Sequence, residues 1–250
     1  MEKERPYALS IAGLDPSGGA GLLADIKTFE QHRVYGLGVC TAITVQTASD
    51  FISVDWLPVS KILAQVKPLL EYHRIRYCKI GIMEDVKAML EVVSGLKQLA
   101  PDIRIVLDPV LKASAGFSFH NDIQQQHWQQ LLQQLYLLTP NYPEAQLLTG
   151  CNDGEEAARR LSAFCAVLLK GGHHAQQQGI DILYTGNMVH TYGPGRAAVF
   201  PKHGSGCVLS SAITASLALG QSIQEACCNG KAYTEKILAS HSSLTGYHHQ

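Results

Sequence analysis

The chain lacks the cysteine patterns that mark extracellular and zinc-binding domains. Its 250 residues include seven cysteines, at positions 40, 78, 151, 165, 207, 227 and 228, but no Cys-x-x-Cys pair. The odd number, and the apolar sequence around several of them, disfavour a disulfide framework and indicate a reducing compartment. A zinc site is also disfavoured, because no spacing of cysteine and histidine matches one.

Long apolar runs and an excess of one charge are missing as well. No apolar run approaches the ~18 residues of a membrane-spanning helix, and the charged N-terminus has no signal-peptide core. The 20 basic and 21 acidic residues give a formal net charge of −1. Since no basic block stands out, a nucleic-acid or membrane surface is disfavoured. The default expectation is a cytoplasmic protein.

The chain has enough apolar sequence for a large core, since 46% of its residues are hydrophobic and 16% are charged. Short β-rich runs alternate with helical ones, which predicts an α/β fold with a mostly parallel sheet covered by helices on both faces. No linker or repeat interrupts the pattern, so we expect one domain over residues 1–250. The predicted strands are 7–12, 38–45, 77–80, 103–107, 136–138, 166–169, 180–184 and 188–192. The predicted helices run to about 32 and over 58–72, 85–99, 124–135, 143–148, 155–164, 207–219 and 223–240, with Pro68 expected to bend or shorten the second.

The most informative segment is His203-Gly204-Ser205-Gly206-Cys207, a glycine turn that runs into a helix of small residues. Glycines allow close approach of a ligand, and the first N–H groups of a helix have no intrahelical partner. Together with the helix dipole they form an anion site, most often for phosphate. Cys207 lies at its mouth. A helix N-terminus lowers the pKa of a thiol and makes it reactive, whereas a buried free cysteine often serves as a small hydrophobe.

A second glycine-rich turn, from Gly13 to Gly21, follows the first strand. Ligands gather at the carboxyl ends of parallel strands, so this turn can approach a small molecule, although a tight connection also explains it. It fits neither Gly-x-Gly-x-x-Gly nor the P-loop. Asp25 lies in the helix that follows, and an aspartate in such a helix is usually exposed to solvent. Gln46 ends the second strand, where its amide can bind a heteroaromatic ring or be an ordinary strand-end glutamine.

Three charged residues lie after later strands. Asp108 ends a buried strand, where a carboxylate binds Mg²⁺ through water or simply caps a turn. Glu144 is three residues after Asn141, as in a capping box, and can face a metal as well. Lys170 precedes two glycines, where it can reach a phosphate as a point charge or lie on the surface.

In this order, the motifs resemble the hydroxymethylpyrimidine kinase/phosphomethylpyrimidine kinase family of thiamine biosynthesis, within the ribokinase-like superfamily. The ending Gly204-Ser205-Gly206-Cys207 is particularly specific, because most of the superfamily carries aspartate where Cys207 stands. The resemblance covers most of the chain and rests on Ala12-Gly13-x-Asp15-Pro16-Ser17-Gly18-Gly19-Ala20-Gly21, Ala24-Asp25-x-Lys27-Thr28, Val45-Gln46-Thr47, Lys79-Ile80-Gly81, Val106-Leu107-Asp108-Pro109-Val110, Thr139-Pro140-Asn141-x-Pro143-Glu144-Ala145, Lys170-Gly171-Gly172-His173 and His203 to Cys207.

The resemblance implies a ribokinase-like domain that uses ATP and Mg²⁺ to phosphorylate 4-amino-5-hydroxymethyl-2-methylpyrimidine, and then its monophosphate. The transferring phosphoryl group would be stabilised by the N–H groups of Gly204, Ser205, Gly206 and Cys207. Cys207 would also take the general-base position. Asp108 and Glu144 would organise Mg²⁺ and its waters, and Lys170 would approach the ATP phosphates. The pyrimidine would be bound by Gln46, with Gly13, Ala20 and Asp25 around it. A homodimer is also implied.

Two of the departures from the family concern polar groups near the phosphates. Ala113-Ser114-Ala115-Gly116 lacks the lysine and serine of the usual Ala-Lys-Ser-Gly. Pro201-Lys202 replaces the usual Asn-Thr, and Lys202 could supply a compensating charge.

Two alternative functions stay open. One is a vitamin B6 kinase, because pyridoxine also presents a ring hydroxymethyl group. The other is a catalytically silent pyrimidine-sensing module on the same fold, which would bind the pyrimidine without producing ADP.

Overall fold

The computed structural model describes residues 4–111, 125–173, 179–195 and 198–248. Two sequence predictions lie outside these ranges, namely the departure at Ala113 to Gly116 and the start of a helix at Gln124. Among the described residues no helix is long and apolar enough to cross a membrane.

The described strands form one nine-stranded sheet in the order β3-β2-β1-β4-β5-β6-β7-β8-β9. The six strands β2, β1, β4, β5, β6 and β7 run parallel to one another, whereas β3 pairs antiparallel with β2, β8 with β7, and β9 with β8. This arrangement confirms the predicted mostly parallel sheet. The strands are β1 Tyr7–Leu14, β2 Tyr35–Gln46, β3 Phe51–Trp56, β4 Tyr77–Ile80, β5 Arg104–Leu107, β6 Leu137–Leu138, β7 Ala166–Leu169, β8 Asp181–Thr185 and β9 Met188–Tyr192.

Helices cover both faces of the sheet, so the predicted three-layer α/β/α architecture is confirmed. They are α1 Gly21–Gln31, α2 Val59–Tyr72, α3 Val86–Leu99, α4 Gln125–Leu132, α5 Tyr142–Thr149, α6 Gly154–Leu161, α7 Ser205–Ala218 and α8 Ile223–Ala239. Alternation along the strands divides the core: Ile105 and Leu107 pack with α2 to α6, whereas Val106 packs with α7 and α8. The second face also carries α1.

Two local predictions were wrong. No strand was predicted for residues 51–56, which form the edge strand β3; three of its six residues are exposed and none is buried, so it lacks a buried apolar run. The predicted helix over 58–72 is confirmed as α2, which continues to Tyr72, so the early end at Pro68, one of the two expected effects of this proline, is wrong. The proline removes one hydrogen bond, to the carbonyl of the exposed Ala64, which water can satisfy, while Ile62 and Val66 stay packed in the core.

Candidate active site

The turn between β1 and α1 is organised by the buried carboxylate of Asp15. This carboxylate accepts hydrogen bonds from the Ser17 N–H at 2.8 Å, the Ser17 hydroxyl at 2.9 Å and the Ala20 N–H at 2.9 Å. At Gly21 the backbone has φ +57°, and an added Cβ would lie 2.3 Å from the Gly13 carbonyl oxygen. Only glycine fits there, and α1 begins at that residue.

The predicted anion cradle is the N-terminus of α7, which begins two residues earlier than expected. Gly204 caps the helix with φ +76°, and the Val208 N–H donates to its carbonyl at 3.0 Å. The N–H groups of Ser205, Gly206 and Cys207 precede that first helical bond and have no intrahelical acceptor. An added Cβ at Gly204 would lie 2.0 Å from the Gly19 carbonyl oxygen, so the two glycine turns touch.

A side-chain hydrogen bond joins the same two turns. His203 Nε2 lies 2.8 Å from Asp15 Oδ2. Burial acts to raise the pKa of Asp15, but the hydrogen bonds from His203, Ser17 and Ala20 outweigh it and lower the pKa. Sequence reasoning gave this pair no role, because its members lie 188 residues apart and no spacing rule connects them.

The three predicted charged residues come together at the carboxyl edge of the sheet. Asp108 follows β5, Lys170 follows β7, and Glu144 lies in the first turn of α5. Lys170 Nζ is 2.7 Å from Asp108 Oδ1 and 3.9 Å from Glu144 Oε2. A Cβ added to Gly206 would lie 3.3 Å from Lys170 Nζ and 3.4 Å from Asp108 Oδ2. The cradle therefore opens directly onto this charged cluster.

Burial sets the electrostatics of the cluster. Burial and the nearby Asp108 charge raise the pKa of Glu144 to about 7, against the pull of Lys170. For Lys170, burial acts to lower the pKa, but the charges of Asp108 and Glu144 outweigh burial and raise the pKa. Glu144 also completes the predicted capping box, since its Oε2 accepts from the Asn141 N–H at 2.7 Å and its own N–H donates to Asn141 Oδ1 at 2.8 Å.

These carboxylates suit Mg²⁺ through water rather than a closed metal cage. Magnesium prefers oxygen ligands and usually keeps several waters, so two buried carboxylates are a sufficient protein contribution. Over the described ranges, no group of three or more histidine, cysteine, aspartate and glutamate side chains is placed to hold a metal. The Lys170 ammonium compensates both carboxylates here.

The Cys207 thiol differs from the sequence expectation. Burial raises its pKa to about 11, assisted by the charges of Asp25 and Asp108, whereas Lys79 and a hydrogen bond from the Gly21 N–H act in the opposite direction. Of the two alternatives that the sequence left open, the lowered pKa at a helix N-terminus is wrong, because loss of water around the sulfur outweighs the helix effect, and the buried small thiol fits. Cys207 is therefore a neutral thiol at pH 7.

Asp25 is neither solvated nor on the surface of the site. Its side chain is 0% exposed and forms a buried ion pair with Lys79, 2.7 Å from Oδ2. The expected place for Asp25 beside a bound pyrimidine is thus corrected to a place beneath the site, because its oxygens are already paired inside the protein. Although burial acts against it, the Asp25 carboxylate raises the pKa of Lys79.

The remaining predicted substrate residues lie around the first glycine turn. Gln46 Nε2 donates to Thr44 Oγ1 at 2.9 Å, and the Thr44 hydroxyl donates in turn to the Leu14 carbonyl at 2.9 Å, so Gln46 lies beside the turn rather than in the charged cluster. Gly13 packs against Ile82, whose Cδ1 would be 2.4 Å from an added Cβ. Ala20 contributes its N–H to Asp15.

Lys202 does not replace a missing phosphate contact. Its side chain is buried, and its ammonium donates to the carbonyl oxygens of His241 and Ser243 in the segment after α8. Burial also lowers the pKa of Lys202. The expectation of a compensating charge at the site was wrong, because this lysine holds the C-terminal segment against the turn before α7.

A mostly parallel sheet with an anion cradle opening onto a buried aspartate–lysine pair defines a small-molecule phosphotransferase of the ribokinase-like class. The comparisons with known proteins agree. The family model described as phosphomethylpyrimidine kinase matches residues 15–250. The chain belongs to the phosphomethylpyrimidine kinase family, and it is a kinase.

Individual relatives cover nearly the whole chain. It is 35% identical over 246 residues to a hydroxymethylpyrimidine/phosphomethylpyrimidine kinase of Rhizobium meliloti. The alignment covers 95% of this chain and 92% of the relative. A crystal structure of phosphomethylpyrimidine kinase from Clostridium difficile aligns with a TM-score of 0.78 and 34% identity, covering 92% of this chain and 98% of that one. Pyridoxal kinase from Staphylococcus aureus in complex with ADP aligns with a TM-score of 0.84 and 25% identity, covering 95% and 89%.

Proposed function

We propose that this protein transfers the γ-phosphoryl group of ATP to the hydroxymethyl group of 4-amino-5-hydroxymethyl-2-methylpyrimidine, and then phosphorylates the resulting monophosphate to the diphosphate. The observation that carries the proposal is the cradle of α7, with Gly206 facing the Asp108–Lys170 pair and Cys207 as the next residue. Phosphoryl transfer asks for in-line positioning and charge neutralisation more than for covalent help.

Each element of the cradle has a role in that transfer. The N–H groups of Ser205, Gly206 and Cys207, with the turn at Gly204, stabilise the negative charge of the transferring group. Glycine at 206 leaves room for a phosphate oxygen between the backbone and the Lys170 ammonium, which neutralises the ATP phosphates as a point charge. Asp108 and Glu144 would hold Mg²⁺ through water, and the ion would supply neutralisation of phosphate charge.

Cys207 acts on the substrate hydroxyl mainly by holding it in place. A thiol with a pKa of about 11 is protonated at neutral pH, and so it is not an ionised base waiting for a proton. In a loose transition state the attacking hydroxyl needs little help from a base. The thiol therefore serves as a hydrogen-bond partner that keeps the hydroxyl oxygen directed at the cradle.

For substrate choice, Gln46 favours an aminopyrimidine. A primary amide offers one acceptor and two donors, which matches a ring nitrogen beside an amino group. Gln46, Gly13 and Ala20 lie on or beside the first glycine turn, and that turn touches the cradle at Gly204. A pyrimidine held there presents its hydroxymethyl group to the transferring phosphoryl group.

A vitamin B6 kinase is the second candidate, because a pyridoxal kinase aligns over 95% of the chain with a TM-score of 0.84. Turnover of ATP with the aminopyrimidine alcohol and with pyridoxine, measured side by side, separates the two functions. We expect the pyrimidine to be used faster, and the preference to shrink in Gln46→Leu. Pyridoxine turnover faster by orders of magnitude would reverse the assignment.

The other alternative, a catalytically silent pyrimidine-sensing module, predicts binding of the pyrimidine without turnover of ATP. Calorimetry would then show pyrimidine binding while no ADP forms in the presence of Mg²⁺ and ATP. We expect ADP to form, because Asp108, Glu144, Lys170 and Cys207 are brought to one edge of the sheet.

We further propose that the protein works as a homodimer in a reducing compartment, such as the cytoplasm. All seven cysteines are free in the structure. The β2–β3 hairpin at the edge of the sheet exposes Ile43 by 50%, Val45 by 47% and Ile52 by 67%. An exposed apolar edge strand is a template for pairing, and a second copy of the chain would cover it.

A further inference from the structure

Beneath the cradle lies a closed set of buried polar side chains that the proposed reaction does not use. It consists of Asp25 on α1, Lys79 on β4, Ser211 on α7 and Ser10 on β1, all of them 0% exposed. We call it the helix clamp. A buried ion pair is costly unless its geometry is good and every remaining lone pair is satisfied.

The clamp meets that condition. Asp25 Oδ1 accepts from Lys79 Nζ at 2.9 Å and from the Ser211 hydroxyl at 2.6 Å. Asp25 Oδ2 accepts from Lys79 Nζ at 2.7 Å and from the Ser10 hydroxyl at 2.5 Å. One carboxylate thus joins two helices and two strands. Because both carboxylate oxygens are satisfied, the network favours a single arrangement of the elements that it joins.

The clamp lies one helical turn below the reacting groups. Asp25 follows Gly21 by four residues on α1, and Ser211 follows Cys207 by four residues on α7. Residues four apart lie on the same face of a helix. At the upper level Gly204, just before α7, packs against Gly19 and Ala20, just before α1, and at the lower level Asp25 is bonded to Ser211. The N-termini of α1 and α7 are therefore tied at two levels.

We infer that the hydrogen bond from Ser211 to Asp25 sets the spacing between the N-termini of α1 and α7, which makes Ser211 a positioning residue for phosphoryl transfer. The inference rests on the proposed function, in which α1 follows the substrate turn and α7 carries the cradle. The clamp holds the two at the distance that in-line attack requires, and a misplacement on the order of 1 Å can cost about a hundredfold in rate.

Ser10 provides a matched control, because it donates to the same carboxylate from β1 instead of α7. In both Ser211→Ala and Ser10→Ala the carboxylate keeps Lys79 and one hydroxyl, so both variants should fold with similar losses of Tm. We expect kcat to fall about tenfold in Ser211→Ala, with KM for ATP and pyrimidine nearly unchanged, and to stay within about twofold of wild type in Ser10→Ala.

A second readout needs no substrate. We expect iodoacetamide to alkylate Cys207 several-fold faster in Ser211→Ala than in wild type, with no change in Ser10→Ala, as measured by mass spectrometry of the Cys207 peptide. Equal alkylation rates and equal kcat in the two serine variants would overturn the inference. If the wild type does not phosphorylate the pyrimidine but the alkylation rates differ, the proposed function fails while the spacing role of Ser211 stands.

Discussion

At the scale of single residues, burial decides how each group at the site behaves. Asp108 is 1% exposed, and the Lys170 ammonium lies 2.7 Å from its carboxylate, which compensates the buried pair. The same burial raises the pKa of the Cys207 thiol and of the Glu144 carboxyl. The site therefore holds one compensated charge pair, one carboxyl that titrates near neutrality and one neutral thiol.

Replacing Cys207 by alanine should lower turnover while leaving substrate affinity nearly intact. We expect kcat in Cys207→Ala to fall about tenfold, below the usual range for loss of a general base, because a neutral thiol only orients the hydroxyl. Calorimetry should show less than about a twofold change in pyrimidine affinity, since the ring is bound elsewhere. The exposed Cys228→Ala is the control. Complete loss of binding, with normal turnover per bound substrate, would contradict this role.

Glu144 should make stability depend on pH. Its pKa is raised to about 7 in the folded protein, so between the unfolded value of 4.5 and about 7 the native state binds more protons than the unfolded state. Stability from this group is thus present at low pH and lost as pH rises through about 7. In urea unfolding from pH 5 to 8, Glu144→Gln should lose less stability than wild type, by up to about 3 kcal/mol. The exposed Glu91→Gln is the control, and its stability should depend on pH in parallel with wild type. If Glu144→Gln also ran parallel to wild type, Glu144 would not be the origin of the pH dependence.

At the scale of elements, the start of α7 depends on one backbone conformation. Gly204 has φ +76°, and an added Cβ would lie 2.0 Å from the backbone oxygen of Gly19. Gly204→Ala should therefore destabilise the protein by more than about 2 kcal/mol, the strain of a positive φ plus a backbone clash, and should reduce kcat strongly. Thermal unfolding and steady-state kinetics measure the two effects.

Gly220 supplies the matched control for that prediction. It follows α7 with φ +90°, but nothing lies within 4 Å of its added Cβ. Gly220→Ala should cost only the positive-φ strain of about 1–2 kcal/mol and leave kcat unchanged. If both alanine variants lose the same stability and neither loses activity, contact between the two glycine turns does not shape the cradle.

The sequence was most predictive where local rules apply to the elements. Buried strands alternating with helices predicted the parallel sheet. Asp108, Glu144 and Lys170 were grouped through the family resemblance, and the structure brings them to one edge of that sheet. The pairs Lys79–Asp25 and His203–Asp15 could not be predicted, since 54 and 188 residues separate their members. The exposed edge strand β3 escaped prediction because it has no buried apolar run.

At the scale of the whole molecule, the two edges of the sheet make different predictions about assembly. In sedimentation velocity we expect the wild type to be a dimer and Val45→Glu, on β2, to shift it toward monomer, because a buried charge disfavours an apolar interface. Met188→Glu changes an equally exposed apolar residue on β9, and that variant should remain dimeric. A monomeric wild type, or dissociation only by Met188→Glu, would contradict pairing through β2 and β3.

The most direct test of the account is product analysis. The protein would be incubated with ATP, Mg²⁺ and 4-amino-5-hydroxymethyl-2-methylpyrimidine, and the products followed over time by mass spectrometry with ADP measured in parallel. The account predicts that the monophosphate appears first and the diphosphate follows, with one ADP formed for each phosphoryl group transferred. Pyrimidine that binds but is recovered unchanged, with no ADP formed, would contradict it.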